Sequence, residues 1–189
     1  MKRVGKENLF DFVGDLEEAY EKAEREGDKA LVESLDIIGL WEEDAETKWL
    51  YCIWKALQGD TESQRMSGWM FDWPRGDGKD TDSKFDKPEL AVYWYEMAAR
   101  ADDPDAQCLL ANLYSGDRLP RELWNGKLAV RWYEKSAAHK MPHGMLGLAR
   151  CLECGRCCDG GRDAHRAAAL REEAHEILKA KGEDDDGQE

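Results

Sequence analysis

The sequence predicts an all-α fold, a right-handed α-solenoid of stacked antiparallel helix pairs that ends in a C-terminal capping helix. Three observations support this prediction. A segment that begins at Leu90 recurs thirty-eight residues later, apolar residues are spaced three and four apart along most of the chain, and glycine and proline stand where helices should end and begin. An internal repeat of this length is typical of stacked two-helix units rather than of one closed globule.

The repeat rests on identical residues at matched positions in two segments. The first copy contains Leu90, Ala91, Val92, Trp94, Tyr95, Glu96, Ala99, Pro104, Leu110 and Ala111, and the second contains Leu128, Ala129, Val130, Trp132, Tyr133, Glu134, Ala137, Pro142, Leu148 and Ala149. Alanines let two helices approach closely, and aromatic rings fill the space between neighbouring pairs. We therefore expect Trp94 and Trp132 to have the same structural role.

Two further helix pairs are predicted before this repeat, over about 9–40 and 43–73. Gly27 and Gly59 each interrupt a run of apolar residues at helical spacing. A glycine suits the end of a helix because it adopts the left-handed conformation without steric cost. The short connections make the two helices of each pair antiparallel neighbours.

The second of these pairs aligns loosely with the central repeat, at an offset of 43 residues. In this alignment Gln64 falls on Gln107 and Gly68 on Ala111, and aromatic and small positions are kept by type. The alignment extends the repeat towards the N-terminus.

The two clear copies predict helix pairs over about 88–116 and 126–155. Pro104 and Pro142 mark the same helix start in both copies. A proline is tolerated there because an amide in the first turn of a helix has no intrahelical acceptor to lose.

A last helix is predicted over 163–181, because its apolar residues lie on one face and its charges elsewhere. Such a one-sided helix suits the end of an array, where one face meets solvent. Residues 1–182 are thus predicted to form a single helical repeat domain, and 183–189 a solvated acidic tail.

The composition argues against several classes of partner. The chain has 27 lysine and arginine residues against 41 aspartate and glutamate residues, a formal net charge of −14, which disfavours nucleic acid and anionic membranes. No run approaches the roughly 18 apolar residues of a membrane span, and the N-terminus lacks the apolar core of a secretion signal. We expect a cytoplasmic monomer whose six cysteines are not paired in disulfides.

The repeated residues resemble the Sel-one-like repeat, a relative of the tetratricopeptide repeats with slightly longer units. The resemblance rests on Ala91-x-x-Trp94-Tyr95-x-x-Ala98-Ala99, followed by Ala106-Gln107-x-x-Leu110-Ala111-x-x-Tyr114-x-Gly116, and covers roughly 90–155. It implies a concave surface lined mostly by the first helix of every pair. In bacteria, relatives of this repeat commonly serve as adaptors in signalling, assembly or host contact.

The predicted binding surface is the part of the first helices that does not face the core. If Ala91, Trp94 and Tyr95 are buried, the remaining face carries Tyr93, Glu96, Met97 and Arg100, followed in the next copy by Arg131, Glu134 and Lys135. Tyrosine and arginine are enriched at binding hot spots, so this face predicts a groove for a peptide that bears carboxylates. The alternative is an ordinary solvated helix face.

The cysteine cluster is the one place where the sequence suggests chemistry. Four sulfurs, the number that a tetrahedral zinc site needs, come from Cys151, Cys154, Cys157 and Cys158, and His165 is a possible substitute. The spacing lacks the usual two separated pairs, and adjacent cysteines do not point easily at one ion. Unreactive structural thiols, a redox-sensitive pair and a zinc or iron–sulfur site are therefore the alternatives.

No enzyme motif is complete in this sequence, whether phosphate-binding loop, zinc-protease helix or hydrolase nucleophile elbow. The sequence predicts a noncatalytic protein-protein interaction module without a cofactor, an adaptor that binds a peptide or protein partner on the concave face. The alternative function is a zinc- or redox-responsive regulator that uses the cysteine cluster. Trp73 and Trp124, which lie beside loops, are candidates for exposed anchors, although such rings often pack on their own loop.

Overall fold

The predicted all-α fold is confirmed by the structure, a computed structural model that describes residues 6–38, 47–72, 85–116, 118–155, 157–158 and 160–182. Within these ranges every regular element is helical and no strand occurs. The chain divides into two compact units, 1–97 and 98–189, and each is described by itself below. The single domain over 1–182 stays a prediction.

Unit 1 contains four helices and most of a fifth. They are α1 (Lys6–Glu26), α2 (Lys29–Ile38), α3 (Thr47–Leu57), α4 (Thr61–Asp72) and α5 (Pro88–Arg100), whose last three residues belong to unit 2. Helix α1 packs on α2 and α3, and α3 packs on α4.

Unit 2 continues with α6 (Pro104–Ser115), a single 3₁₀ turn (Arg121–Leu123), α7 (Gly126–Ala138), α8 (Pro142–Cys154) and α9 (Ala164–Lys181). Helix α7 packs on α6 and α8, and α9 packs on α8. Small and aliphatic residues from all four helices form the core of this unit, among them Ala111, Ala129, Val130, Leu148, Ala149, Leu152 and Ala167.

The helix ends of unit 2 follow from local chemistry. Asp103 Oδ1 accepts a hydrogen bond from the Ala106 amide at 2.7 Å, and Asn125 Oδ1 accepts one from the Leu128 amide at 3.0 Å. Each side chain thereby satisfies an amide that has no partner in the first turn of its helix. Helix α8 ends at Gly155, whose φ of 70° is the left-handed conformation that glycine adopts without strain.

The loose alignment at offset 43 corresponds to a shared hydrogen bond. In unit 1, Gln64 Nε2 donates to the Ala56 carbonyl at 3.0 Å, and in unit 2, Gln107 Nε2 donates to the Ala99 carbonyl at 3.3 Å. Both glutamines are buried, where an unpaired amide would be costly. Each glutamine therefore ties the start of its own helix to the end of the helix before it through the same kind of bond.

Tyr95 joins α5 to α4 within unit 1. Its ring lies over Gly68, where an added Cβ would come closer than 3.0 Å to three ring atoms, so a residue without a side chain is needed there. The Tyr95 hydroxyl donates to Asp72 Oδ2 at 3.3 Å, close to the end of α4.

Tyr133 has the corresponding position in unit 2. The ring is buried against Gly147 of α8, where an added Cβ would again collide with it. Its hydroxyl donates to Asn112 Oδ1 at 2.6 Å and lies 3.1 Å from Ser115 Oγ at the end of α6. Because Ser115 lies 43 residues after Asp72, the two tyrosine hydroxyls reach equivalent positions.

Helix α9 repeats the pattern of α7. Ala167 and Ala174 lie thirty-eight residues after Ala129 and Ser136, and all four are fully buried. Arg171 stands where the tyrosine stands in the two earlier copies. Helix α9 is thus a further copy of a first helix, with charged residues on its remaining faces.

The arginine keeps the tyrosine's contact but changes its chemistry. Arg171 Nε lies 2.9 Å from Glu153 Oε1, and Nη2 lies 2.8 Å from Oε2. Glu153 is the counterpart of Ser115, thirty-eight residues later. A two-pronged ion pair at the end of α8 therefore replaces the buried aromatic contact.

The expected equivalence of Trp94 and Trp132 is wrong. The Trp94 indole is fully buried, and its Nε1 donates to Ser34 Oγ at 3.0 Å in unit 1. Trp132 is half-buried against the core of unit 2, its Nε1 has no partner in the described residues, and Lys135 Nζ lies 4.7 Å from its ring centroid. The alanines and the tyrosine hold equivalent positions, whereas each indole adapts to its own neighbours.

Candidate functional site

The predicted binding residues of α5 that lie in unit 1 are half-buried, and one of them is hydrogen-bonded within the unit. The half-buried Tyr93 donates its hydroxyl to Asp28 Oδ2 at 2.8 Å, and its ring meets Trp94 edge to face with centroids 5.1 Å apart. Burial, followed by the bond to Asp28, raises the pKa of the Tyr93 hydroxyl far above its ordinary value. Tyr93 is therefore neutral and held in place. Glu96 and Met97 are half-buried.

In unit 2, the predicted binding residues are exposed. Arg100 is at the end of α5, and Arg131, Glu134 and Lys135 lie together on the outer side of α7. We call these three residues of α7 the α7 surface. Their spacing of three and four residues places them on one side of the helix.

A cavity of about 290 Å³ lies beside the α7 surface. Its lining residues come from α7, from the connection after α8 and from the start of α9, and they include Lys127, Val130, Arg131, Glu134, Cys157, Cys158, Asp163 and Arg166. The cavity is therefore built from three segments of one unit. It is of the size that a small ligand group or one side chain of a partner can enter.

The charges around this cavity are not equally available. Glu134 Oε1 lies 3.4 Å from Arg166 Nη2, and Asp163 Oδ1 accepts the Arg166 amide at 2.9 Å as the cap of α9. Arg131 makes no hydrogen bond or ion pair within the residues described in unit 2. Its guanidinium is thus free to meet a carboxylate, for which its planar fork is suited.

The four cysteines of the alternative zinc site line two cavities of unit 2. Cys151, Cys154 and Cys157 line one cavity of about 490 Å³, and Cys157 and Cys158 line the cavity beside α7. Among the described residues, no three cysteine, histidine or acidic side chains are arranged to hold a metal ion. His165 is exposed on α9.

Burial disfavours the thiolate form of two of these cysteines, Cys151 and Cys158. It raises the pKa of Cys151 to about 11 and raises the pKa of Cys158 above its ordinary value. The neighbouring thiols shift both values in the same direction. Reactive cysteines have lowered pKa values, so the redox-regulator alternative gains no support from these two groups.

Of the two candidate anchors, Trp124 is 42 % exposed. Its Nε1 donates to the Leu119 carbonyl at 2.6 Å, and the Arg121 guanidinium lies 5.8 Å from its ring centroid. The ring therefore packs on its own loop while one face remains accessible. Trp73 lies outside the described residues.

Sequence reasoning missed a second group of exposed charges in unit 2, on α8 and α9. It includes His143, Arg150 and His175, none of which was selected as a site residue. The signal was present in the repeat itself, because these residues replace nonbasic ones thirty-eight residues earlier. It is visible once the two copies are compared by charge as well as by apolar residues.

Stacked helix pairs with an exposed first-helix face define a helical-repeat protein. The profile of the Sel1 repeat family matches residues 75–103, 104–140 and 142–174, just over half of the chain. The chain belongs to the Sel1 repeat family, which confirms the resemblance found in the sequence. The family's units join α6 with α7, and α8 with most of α9, in keeping with α9 as a further first helix.

Two longer proteins are similar to this chain. A stretch of 69 residues is 42 % identical to an uncharacterized protein of Neisseria meningitidis serogroup B, and it covers 36 % of this chain and 14 % of that protein. The fold is similar to c5321, a protective antigen present in uropathogenic Escherichia coli strains that displays an SLR fold. The TM-score is 0.57 at 24 % identity, over 83 % of this chain and 32 % of the antigen chain. This chain therefore spans a minor part of the length of both.

Sel1-like repeat proteins generally mediate protein–protein interactions, and their fold is typically a noncatalytic scaffold. None of the helices described in this chain is both long and apolar enough to cross a membrane.

Proposed function

We propose that this protein is a noncatalytic adaptor that binds a carboxylate-bearing peptide or protein segment, with the α7 surface as a main contact. Membership of the Sel1 repeat family supports a role in protein–protein interaction. The similarity to a Neisseria protein supports a bacterial origin. A cytoplasmic location is part of the proposal.

The observation that supports the proposal most directly is that Arg131 is exposed and unpaired beside a cavity. Its exposed guanidinium has no acidic partner in the described part of unit 2, and it lies at the edge of a cavity large enough for a partner side chain. In a chain with a net charge of −14, an unpaired arginine beside a cavity favours an acidic ligand. A solvated arginine without a cavity would carry no such argument.

The other two residues of the α7 surface, Glu134 and Lys135, favour a partner that is partly apolar rather than highly charged. Glu134 is partly neutralised by Arg166, and the Lys135 ammonium lies over the Trp132 ring. The ring and the lysine stem offer apolar area next to a positive charge. We expect the partner to place an apolar side chain on this area and its carboxylate on Arg131.

The residues Tyr93, Glu96, Met97 and Arg100 of α5 stay proposed contacts of the same partner. Because the Tyr93 hydroxyl is occupied by Asp28, its contribution would come from the ring rather than from a hydrogen bond. This part of the proposal is tested separately with Met97→Ala, since Met97 is not tied to Asp28.

A display library of random twelve-residue peptides tests the proposal, because such a library assumes nothing about the sequence of the partner. Peptides selected on the wild-type protein are measured for affinity against Arg131→Glu and against Lys22→Glu, a matched charge reversal of an exposed lysine in α1. We expect the selected peptides to contain a carboxylate and to bind Arg131→Glu at least about tenfold more weakly, because the charge reversal repels them.

The control variant should bind the same peptides as the wild-type protein does. Equal binding of the selected peptides by all three proteins would remove the α7 surface from the proposal. Failure to enrich any peptide on the wild-type protein would contradict a peptide-binding function altogether. Circular dichroism melting curves check that each variant is folded.

A further inference from the structure

We propose that unit 2 has a second binding site, a cavity between α6, α8 and α9 that takes up the carboxylates of an acidic peptide segment. The site is separate from the α7 surface and shares no lining residue with the cavity beside it.

The cavity has a volume of about 320 Å³ and four basic side chains around it. His143 and Arg150 come from α8, and Arg171 and His175 come from α9. Spacings of seven and four residues bring each pair to one side of its helix, so the two pairs face the same space. We call this space the basic cavity. Cys108 and Asn112 of α6 complete the part of the lining that the argument uses.

Most of these basic side chains have no acidic partner among the described residues. His143, Arg150 and His175 make no hydrogen bond or ion pair with the residues that the structure describes. Arg171 is held by Glu153 through two contacts of 2.9 and 2.8 Å, which fixes its position at the cavity edge. None of the described residues that line the cavity is acidic.

The two residues from α6 add no negative charge that would repel an anion. Burial raises the pKa of Cys108 to about 11, so its thiol adds no negative charge. The Asn112 side chain accepts the Tyr133 hydroxyl through Oδ1 at 2.6 Å, which leaves its amide nitrogen as a donor. The lining therefore combines basic side chains with a neutral hydrogen-bond donor.

Comparison with the preceding copy shows that this charge is local to the last repeat. The four basic residues replace, thirty-eight residues later, an acidic residue and three neutral ones: Asp105 becomes His143, Asn112 becomes Arg150, Tyr133 becomes Arg171, and Ala137 becomes His175. Nothing in the packing of a repeat requires cations at these positions, since the preceding copy folds without them. In a chain with a net charge of −14, such a concentration attracts anions against the overall field.

A peptide with neighbouring carboxylates fits the basic cavity better than a nucleic acid does. The net charge of −14 repels an extended polyanion, whereas a short acidic segment meets only the local field. Arginine and protonated histidine both donate to carboxylates, and the cations come from two helices, so that two carboxylates can be bound at once. Phosphate shares this anion chemistry and serves as a competitor in the test.

The test measures the fluorescence anisotropy of a labelled hexaglutamate peptide with the full chain, with hexaglutamine as the uncharged reference. It is done near pH 6 and about 50 mM salt, where imidazole is commonly protonated and screening is moderate. We expect hexaglutamate to bind at least about tenfold more tightly than hexaglutamine, and inorganic phosphate to displace it.

The variants locate the site. Arg150→Glu should weaken hexaglutamate binding by about tenfold or more, and His143→Gln combined with His175→Gln by about threefold. All three residues are exposed, so the variants should fold. Lys22→Glu, at an exposed lysine of α1, is the matched control and should leave the affinity unchanged. Arg131→Glu on the α7 surface should weaken hexaglutamate binding less than Arg150→Glu does, which separates this proposal from the one above.

Two results would overturn the proposal. One is hexaglutamate binding no tighter than hexaglutamine, including the case in which phosphate alone binds. The other is a loss of affinity in Lys22→Glu or Arg131→Glu equal to that in Arg150→Glu, since that would assign the attraction to the general field of the protein or to the α7 surface.

Discussion

Tyr133 and Arg171 occupy the same position in successive copies of the repeat, yet they connect their helices in different ways. Tyr133 is 2 % exposed and buries its ring against Gly147, with its hydroxyl bonded at the end of α6. Arg171 keeps the contact with the end of the preceding helix through Glu153, but the two side chains are 38 % and 40 % exposed.

The difference shows that the repeat conserves a place of contact rather than one kind of interaction. A buried ring removes apolar area from water and stabilises the junction strongly, whereas an exposed ion pair contributes little because water and salt screen it. The junction between α8 and α9 therefore depends less on one buried side chain for its stability. Basic residues can occupy its positions, as they do around the basic cavity.

The largest expected effect comes from removing the aromatic ring. Tyr133→Ala should lower the free energy of unfolding by about 3–5 kcal/mol, because it leaves a cavity in the core of unit 2. Arg171→Ala at the equivalent position should shift the melting temperature by less than about 2 °C. Urea unfolding followed by circular dichroism gives the free energy for the first variant, and thermal melting gives the melting temperature of both. An equal fall in melting temperature in the two variants would remove the distinction between the junctions.

A methyl group placed under the same ring tests how tightly the junction is packed. Gly147→Ala should cost about 1–3 kcal/mol of unfolding free energy, because the new Cβ would overlap the buried Tyr133 ring. Gly160→Ala is the control, since no atom lies within 4 Å of a Cβ there, and it should change stability by less than about 0.5 kcal/mol. A stabilised Gly147→Ala variant would mean that helix propensity outweighs the overlap.

Removal of the hydroxyl alone should have a smaller effect. Tyr133→Phe loses the bonds to Asn112 and Ser115 but keeps the ring, so we expect about 1 kcal/mol of destabilisation in urea unfolding. Tyr95→Phe in unit 1 should cost less, because its bond to Asp72 is longer at 3.3 Å. The reverse order would contradict the assignment of the hydroxyl contacts.

The smallest effect concerns the pH dependence of the ion pair. The Arg171 guanidinium lowers the pKa of Glu153, so the carboxylate stabilises the folded state above its unfolded pKa, ordinarily near 4.3. This contribution is lost as the pH falls through the lower, folded-state pKa. Between pH 6 and pH 3, the wild-type melting temperature should therefore fall slightly more than that of Glu153→Gln. Parallel curves for the two proteins would show that the pair does not contribute.

Much of the fold could be predicted because residues that are identical in two copies of a repeat usually pack in the core. Ala91 and Ala129 were assigned to the core from their matched positions, and both are fully buried. Trp132 was misjudged because equal residues in equal positions were assumed to have equal neighbours. In unit 1, Ser34 provides a hydrogen-bond acceptor for Trp94, and no described residue does so for Trp132 in unit 2.

The candidate sites were harder to predict than the fold. Arg131 could be placed on an exposed face because helical spacing is regular, and it is exposed in the structure. Whether Arg131 has an acidic partner depends on residues that are distant in sequence, such as Arg166, which engages Glu134 instead. The basic cavity was missed for the same reason, since its residues come from three helices.

The order of residues alone established the helices, the period of thirty-eight and the Sel1 repeat family, because these follow from local spacing and from identities between copies. Packing decided which cysteines share a cavity, which tryptophan is buried and which arginines remain unpaired. These properties depend on distances between side chains of different helices. The free energy of a buried ring or a paired charge is determined by such neighbours, and a one-dimensional pattern does not contain them.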